Sequence, residues 1–302
     1  HDLVALATVC DVVALRGLNR AFVVKGLAVM HGRANAGIAA LGEVARLDGP
    51  VRPWHLGFLI GPRINAGGRI GDAALGARLL ATDDAAEAAT IAVSLEELNR
   101  QRQAQEAQML EEAIAEADAE IGSGEAAGII VVASDRWHPG IVGLVASRLK
   151  DRYRRPAFAI AFDPSGKGSG SGRSVPGADI GAAVRAGVAA GILEKGGGHA
   201  MAAGLTIRRP QLAGLRSHLE AALGEAVRAA ADVHVLKIDG ALTARSATLE
   251  LYDLLERAGP FGSGHPSPVF AFPAHGVRNA RIVGQDHVSL SIRAGDGASS
   301  AA

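Results

Sequence analysis

The chain has 302 residues, 31 basic and 31 acidic side chains and 48% hydrophobic content, enough for about two domains with ordinary cores. A net charge of zero excludes a global basic field, so any polyanion site is a local cluster; 26 arginines against 5 lysines suit bidentate phosphate recognition, although codon bias gives the same ratio. The single cysteine, Cys10, excludes an intrachain disulfide framework and a zinc ribbon, and with no recognisable signal peptide or membrane-length apolar run the cytoplasm and no membrane partner are expected.

In chain order, the apolar segment Leu3–Val9 predicts a buried strand ending at Asp11, followed by helical patterns broken by Gly and Pro. Residues 57–71, Gly-Phe-Leu-Ile-Gly-Pro-Arg-Ile-Asn-Ala-Gly-Gly-Arg-Ile-Gly, are too glycine-rich for a helix interior and predict a loop. From Asp84 to about Ala119 neither Gly nor Pro occurs, and the Ala/Glu/Gln/Leu-rich stretch predicts one long helix. A new unit is expected after Gly122-Ser123-Gly124. It holds a strand at Gly128–Ser134, a turn at Trp137-His138-Pro139-Gly140, a helix from Ile141 to Arg152 and a strand at Ala157–Phe162. A Gly/Ser/Arg loop then leads to a helix near Asp179–Ala190, a Gly-Gly-Gly-His loop, a strand at Ala202–Ile207 and a helix opening at Pro210. This alternation implies an α/β domain with a parallel or mixed sheet. From Asp232 the pattern changes to short alternating segments at Val269–Phe272, Gly276–Val283 and His287–Ile292 around one helix at Ala244–Ala258, which predicts a small β-rich third unit. The start at His1 and the closing Gly-Ala-Ser-Ser-Ala-Ala read as cut ends, so part of a longer protein is expected to be missing.

The candidate chemistry sits where glycine surrounds polar residues. Gly196-Gly197-Gly198-His199 allows close backbone approach to an anion with one imidazole donor, and Gly168-Ser169-Gly170-Ser171-Gly172-Arg173-Ser174 adds hydroxyls and a guanidinium. Both read as phosphate cradles; a tight loop with a packed histidine is the plainer alternative. Arg63, Asn65 and Arg69 could grip a phosphodiester or staple a surface loop by ion pairs. His138 precedes a helix N-terminus, where unpartnered N–H groups favour anions. Asp11, ending an apolar run, fits either a cap of the following turn or a cation ligand. No Asp-x-Asp, His-x-x-x-His or Walker loop accompanies it, so the residues alone supply an anion-binding half and little of a metal-binding half.

These motifs together resemble a known family. Leu3–Val13, Leu59-Ile60-Gly61-Pro62-Arg63-Ile64-Asn65-Ala66-Gly67-Gly68-Arg69, Trp137–Gly143, Gly170–Ser174 and Gly197–Gly204 stand in the same order and at similar spacing in the RecJ family of the DHH phosphoesterase superfamily. Ala258–Gly262 with Pro266–Phe270 is similar to the family's lead into an oligonucleotide-binding barrel. The resemblance implies an α/β fold made of the C-terminal part of a DHH domain (1–83), a connecting helix (84–121), an α/β DHH-associated domain (122–230) and the start of an OB-type barrel (231–302). It also implies a 5′-to-3′ exonuclease specific for single-stranded DNA, acting in DNA repair and recombination with Mn²⁺ or Mg²⁺. Single-stranded-DNA-binding protein and a helicase are implied partners. By the same resemblance Asp11 is a catalytic metal ligand, and Arg63, Asn65, Arg69, His138, Ser171, Arg173, Ser174, Gly197, Gly198 and His199 contact substrate. The remaining metal ligands, including the Asp-His-His motif, are expected upstream of His1, so these 302 residues alone are expected to be inactive. Cys10 and Gly68 stand where the family usually has alanine. The alternatives are a DHH-type oligoribonuclease or phosphatase, and a non-catalytic nucleic-acid-binding module.

Overall fold

The opening apolar run forms a helix and not the expected strand. In this computed structural model, which describes residues 1–122, 128–230, 236–284, 287–295 and 299–301, α1 (Asp2–Cys10) is followed by α2 (Gly17–Met30) and α3 (Ala36–Val44). An unbroken apolar run carries no period, so packing decides its conformation. Ala5 and Leu6 are buried, and a Cβ added to Gly26 would come within 2.3 Å of the Ala5 Cβ, so α1 and α2 meet through a glycine.

The stretch 57–71 is likewise helical where a loop is expected. α4 (Pro53–His55) runs through a π-helical turn (Leu56–Ile60) into α5 (Gly61–Ile70), and α6 (Ala74–Ala81) follows. An interior glycine costs a helix about 1 kcal/mol against alanine, and close contacts offset that here. A Cβ on Gly61 would lie 2.6 Å from Cys10 Sγ, and one on Gly67 would lie 2.8 Å from the Asp72 carbonyl oxygen. These glycines serve packing. α7 (Ala85–Gly122), 38 residues, is the expected long helix.

The chain divides into two compact units, one made of His1–Pro62, Leu79–Ala89 and Val235–Ala302, the other of Arg63–Arg78 and Thr90–His234. The breaks expected after Gly122-Ser123-Gly124 and near Asp232 fall at 123–127 and 231–235, outside the described residues, as do Gly297, Ala298 and Ala302 of the closing segment.

The second unit is built on a mixed sheet of β1 (Ile130–Ser134), β2 (Ala157–Phe162), β3 (Lys167–Arg173), β4 (Lys195–His199) and β5 (Ala202–Arg208), ordered β1-β2-β3-β5-β4. β1 and β2 pair in parallel, and every other pair is antiparallel. α8 (Val142–Tyr153) joins β1 to β2, α9 (Ile180–Ala189) joins β3 to β4, and α10 (Leu212–Ala230) follows β5. Side chains alternate across the sheet, and so do its two cores. Phe158, Ile160 and Phe162 face Ile180 and Val184 of α9 and Leu215 and Leu219 of α10. Ala157, Ala159 and Ala161 face Val142, Val145 and Leu149 of α8 and Ala113 of α7. Only methyl groups stand on that face of β2, so the helices over it can lie close.

β3 and β4 correct the sequence reading, because they are the Gly/Ser/Arg and Gly-Gly-Gly-His segments expected as loops. Gly168, Gly170 and Gly172 alternate with Ser169, Ser171 and Arg173, and every glycine faces the aromatic core. A Cβ would meet Phe162 at 2.6 Å from Gly168, Leu205 at 2.7 Å from Gly170 and Phe158 at 2.3 Å from Gly172. The absent side chains make room for rings of the neighbouring strand.

In the first unit, β6 (Gly240–Ala241) pairs in parallel with β7 (Phe270–Ala271), and α11 (Leu249–Glu256) is capped by Thr248. β8 (Gly276–Val283), β9 (His287–Arg293) and β10 (Ser299–Ala301) form an antiparallel sheet. This region is tied to the unit's first helices: the Leu15 N–H donates to the Ser263 carbonyl at 2.7 Å, and the Arg20 guanidinium donates to the carbonyls of Ala258 and Gly259.

Candidate nucleic-acid interface

Alternation in β3 puts Ser169, Ser171 and Arg173 on the α7/α8 face of the sheet. Antiparallel partners in register share a face. Arg173 pairs with Ala202 and Ala202 with His199, so Arg173 and His199 occupy one row across β3, β5 and β4. The next row is Ser171, Gly204 and Gly197. β5 and β4 are backed by α9 on the opposite face, where Gly196 lies against Val184, while Gly204 and His199 are exposed on this one. A Cβ on Gly197 would meet nothing within 4 Å.

Arg173 is half-buried above the first turn of α8: a Cβ on Gly143 would lie 3.1 Å from its Nη2 and 3.2 Å from Ser171 Oγ. Nη1 donates to Ser171 Oγ and to the Gly172 carbonyl, both at 2.8 Å. Burial pulls its pKa below the ordinary arginine value. Arg69 arrives from α5 and donates to the Gly140 carbonyl at 3.0 Å. Its pKa is lowered too, first by burial and then by the guanidiniums of Arg102 and Arg173, with Glu106 acting in the opposite sense. Arg102, buried on α7, donates to Asn99 Oδ1 at 3.0 Å and ion-pairs with Glu106, which also meets Arg148 of α8 at 3.4 Å.

Glu106 is thus shared by Arg102 and Arg148 and acts electrostatically on Arg69, and among the described residues no carboxylate is ion-paired to Arg69 or Arg173. The α8 N-terminus adds partial positive charge. Arg69 and Arg173, the two guanidiniums of the cluster with no ion-paired carboxylate among the described residues, form a receptor for an oxyanion, which would bind each by charge-assisted hydrogen bonds.

Both histidines are oriented by backbone. His138 Nδ1 accepts the Gly140 N–H at 3.1 Å, and His199 Nδ1 accepts the Met201 N–H at 3.2 Å. In the neutral imidazole the proton is then on Nε2, which is left as a donor. Beside His199, Gly198 has φ +149° and a Cβ there would lie 2.3 Å from the Ala202 carbonyl oxygen, so the hairpin requires glycine.

The other predicted residues separate from this cluster. Arg63 Nε meets Glu96 at 2.5 Å, with both side chains largely covered, so the ion-pair staple describes its position. Asn65 and Arg69 share a face of α5 at i, i+4 spacing, and Asn65 is exposed. Ser174 is a correction: its hydroxyl is buried and donates to the Ala178 carbonyl at 2.6 Å, anchoring the turn after β3 and presenting nothing to a ligand. Sequence reasoning did not pick out Asn99, Arg102, Glu106 and Arg148. Residues 99, 102 and 106 recur at helical spacing, but charged stripes on long helices are common, and only the fold sets this one beside β3.

Asp11 lies in the first unit at the exposed C-cap of α1, its N–H bonded to the Ala7 carbonyl at 2.9 Å. It ends a helix and not a strand. Cys10 beside it donates its thiol to the Leu56 carbonyl at 3.5 Å, and burial, then the Asp11 charge, push its pKa up to about 11. Among the described residues no three His, Cys, Asp or Glu side chains gather to hold a metal ion. The donors among the described residues therefore do not make a complete metal centre by themselves.

Residues 126–232 match the DHHA1 domain family and residues 238–302 the RecJ OB domain family. The chain thus carries a DHHA1 domain and a RecJ OB domain and is similar to RecJ proteins over 96% of its length. It is 36% identical over 298 residues to the single-stranded-DNA-specific exonuclease RecJ of Dickeya dadantii, covering 96% of this chain and 51% of that one. Identity to the Escherichia coli protein of the same name is 36% over 302 residues, with the same coverage. The fold matches a crystal structure of RecJ in complex with Mg²⁺ from Thermus thermophilus with a TM-score of 0.81 at 33% identity, over 97% of this chain and 44% of that chain. A Mn²⁺ complex of RecJ from the same organism matches with a TM-score of 0.81 at 32% identity, over 97% and 42%. The chain spans about half the length of the curated relatives it matches. Within the RecJ match, His138, Ser171, Arg173 and His199 fall in the DHHA1 segment, while Arg69 and Arg102 precede it. Among the described residues no helix is long and apolar enough to cross a membrane.

Proposed function

We propose that this chain is the substrate-gripping part of a RecJ-type exonuclease that hydrolyses single-stranded DNA from the 5′ end. The observation that carries the reading is the gathering of Arg69, Arg102 and Arg173, from three separate segments, within electrostatic reach of Arg69, with Arg69 and Arg173 beside the start of α8. Their charge binds a backbone phosphate, and the Nε2 protons of His138 and His199 add directed donors. Neither histidine transfers a proton in this reading. Arginine charge also offsets the negative charge that builds on phosphoryl oxygens during hydrolysis.

In the same proposal residues 1–83 close a DHH domain, 84–121 connect it to the substrate-binding domain 122–230, and 231–302 belong to the OB domain. Mn²⁺ or Mg²⁺ is the metal, as in the structures of the Thermus relatives. Asp11 is the ligand this chain contributes, and an acidic group at a helix C-terminus is one that a cation would stabilise. The compartment is the cytoplasm, and single-stranded-DNA-binding protein and a helicase are partners.

The test has two arms. The 302-residue chain is expected to retain a 5′-phosphorylated single strand in a gel shift and to release no nucleotide with manganese present; metal-dependent degradation would mean the ligand set lies within these residues. In a chain joining these residues to a RecJ amino-terminal half, Asp11→Ala is expected to abolish nucleotide release without moving the thermal melt. Retained turnover removes Asp11 from the ligand set.

A further inference from the structure

The Arg173/His199 row is one end of a longer polar face. Two residues along each strand lies the row of Ser171, Gly204 and Gly197, and two residues further that of Ser169, Thr206 and Lys195. Lys167 and Arg208 pair beyond it. Lys195, Ser169 and Lys167's neighbour Arg208 are exposed. A groove of about 510 Å³ opens alongside, lined by Trp137, Pro139, Asp163, Lys167, Ser169 and Thr206.

Charge is unevenly used on this face. Arg208 is held by Glu194 at 2.5 Å. Asp163 is occupied by its own turn, accepting the Ser165 hydroxyl at 2.6 Å and the N–H groups of Ser165 and Lys167. Arg209 stacks over Phe162, 4.5 Å from the ring centroid, and meets Asp135 at 3.6 Å. Among the described residues Lys195 has no ion-pair partner, and it lies in register with two hydroxyls.

Spacing makes the rows a ruler. Rows two residues apart on an antiparallel strand lie about 6.8 Å apart. A nucleotide and a pair of peptide residues contribute the same number of backbone bonds, so an extended single strand laid along β5 advances about one phosphate per row. In the middle row Gly204 and Gly197, beside Ser171, leave the strand room to lie flat. Among the described residues no aromatic side chain projects from the two rows beyond Arg173 and His199, so contact there is to the sugar-phosphate chain.

We propose that Lys195, Thr206 and Ser169 form a second phosphate subsite, which takes the backbone phosphate about two nucleotides beyond the one held at Arg173. The inference rests on the reading that Arg173 and its neighbours hold a phosphate of a single strand. It sets a minimum substrate length and lays the nucleic acid along β5.

The test measures binding of 5′-phosphorylated oligothymidylates, from dinucleotide to octanucleotide, to the 302-residue chain by fluorescence anisotropy at several salt concentrations. Lys195→Gln is expected to leave the dinucleotide unchanged, to weaken the octanucleotide about fivefold, and to lower the octanucleotide's log–log salt slope by about 0.7. Thr206→Val is expected to give the same length dependence with a smaller loss. An equal loss at both lengths, or no loss at either, overturns the second subsite. Arg173→Ala is expected to weaken every length; if it weakens none, the underlying phosphate-site reading fails whatever Lys195 does. If the unaltered chain holds no oligonucleotide, both fall. Lys195 is exposed, so the thermal melt should be unmoved in its variant.

Discussion

The glycines of β3 and those of the β4–β5 hairpin look alike as sequence and do opposite work. In β3 they face inward, and Phe158, Ile160, Phe162 and Leu205 fill the space their side chains would take. In the hairpin, Gly197 and Gly204 face outward, where among the described residues a Cβ would meet nothing closer than 4.0 Å, while Gly196 and Gly198 serve the α9 side and the hairpin backbone. A glycine-rich segment is therefore not in itself a flexible ligand loop. What it means depends on which face of a strand each residue takes and on what lies opposite.

Substitutions can break this contrast. The largest effect is expected for Gly172→Val, since even a Cβ would stand 2.3 Å from the Phe158 ring; overpacking of this kind costs about 3 kcal/mol, read as a lower denaturation midpoint. An unaltered midpoint would show that β3 does not seat against the aromatic core as described. Ser174→Ala should follow with a loss of about 1 kcal/mol, because the Ala178 carbonyl loses its buried donor while oligonucleotide affinity stays the same. A loss of affinity at full stability would return Ser174 to the binding surface. Gly197→Ala should change stability least, by less than about 0.5 kcal/mol. Its added methyl group would instead stand in the path proposed for the strand and weaken octanucleotide binding. If Gly197→Ala destabilises as much as Gly172→Val, the two sets of glycines are not distinct.

How much was legible in the sequence follows the same physics. The long helix α7 could be read because Gly and Pro are absent until its last residue, and β2 because a six-residue apolar run is bounded by Pro156 and Asp163. α1 could not, since its apolar run has no period. β3 hid in plain view: Gly-Ser-Gly-Ser-Gly-Arg alternates with the strand period, but glycine and serine have low strand propensity and the inward residue is not apolar. The partner that makes the pattern intelligible, Phe-Ala-Ile-Ala-Phe, lies on another strand. Arg69, Arg173 and His199 could be selected by type and by their glycine neighbours. Arg102 and Arg148 could not, because their role comes from helices crossing beside β3. Arg63 was selected on the same grounds as Arg69 and turns to Glu96, a difference set by its place on α5 that a loop reading cannot contain.

The chain has two tryptophans, and the fold gives each unit one of them. Trp137, just before α8, is 5% exposed and its indole N–H donates to Glu112 at 2.9 Å; Trp54, in the first unit, is 51% exposed. The protein therefore carries its own pair of optical labels. Emission from Trp137 is expected at shorter wavelength than that from Trp54, so unfolding of either unit, or an oligonucleotide arriving near α8, can be followed by colour in the unlabelled chain.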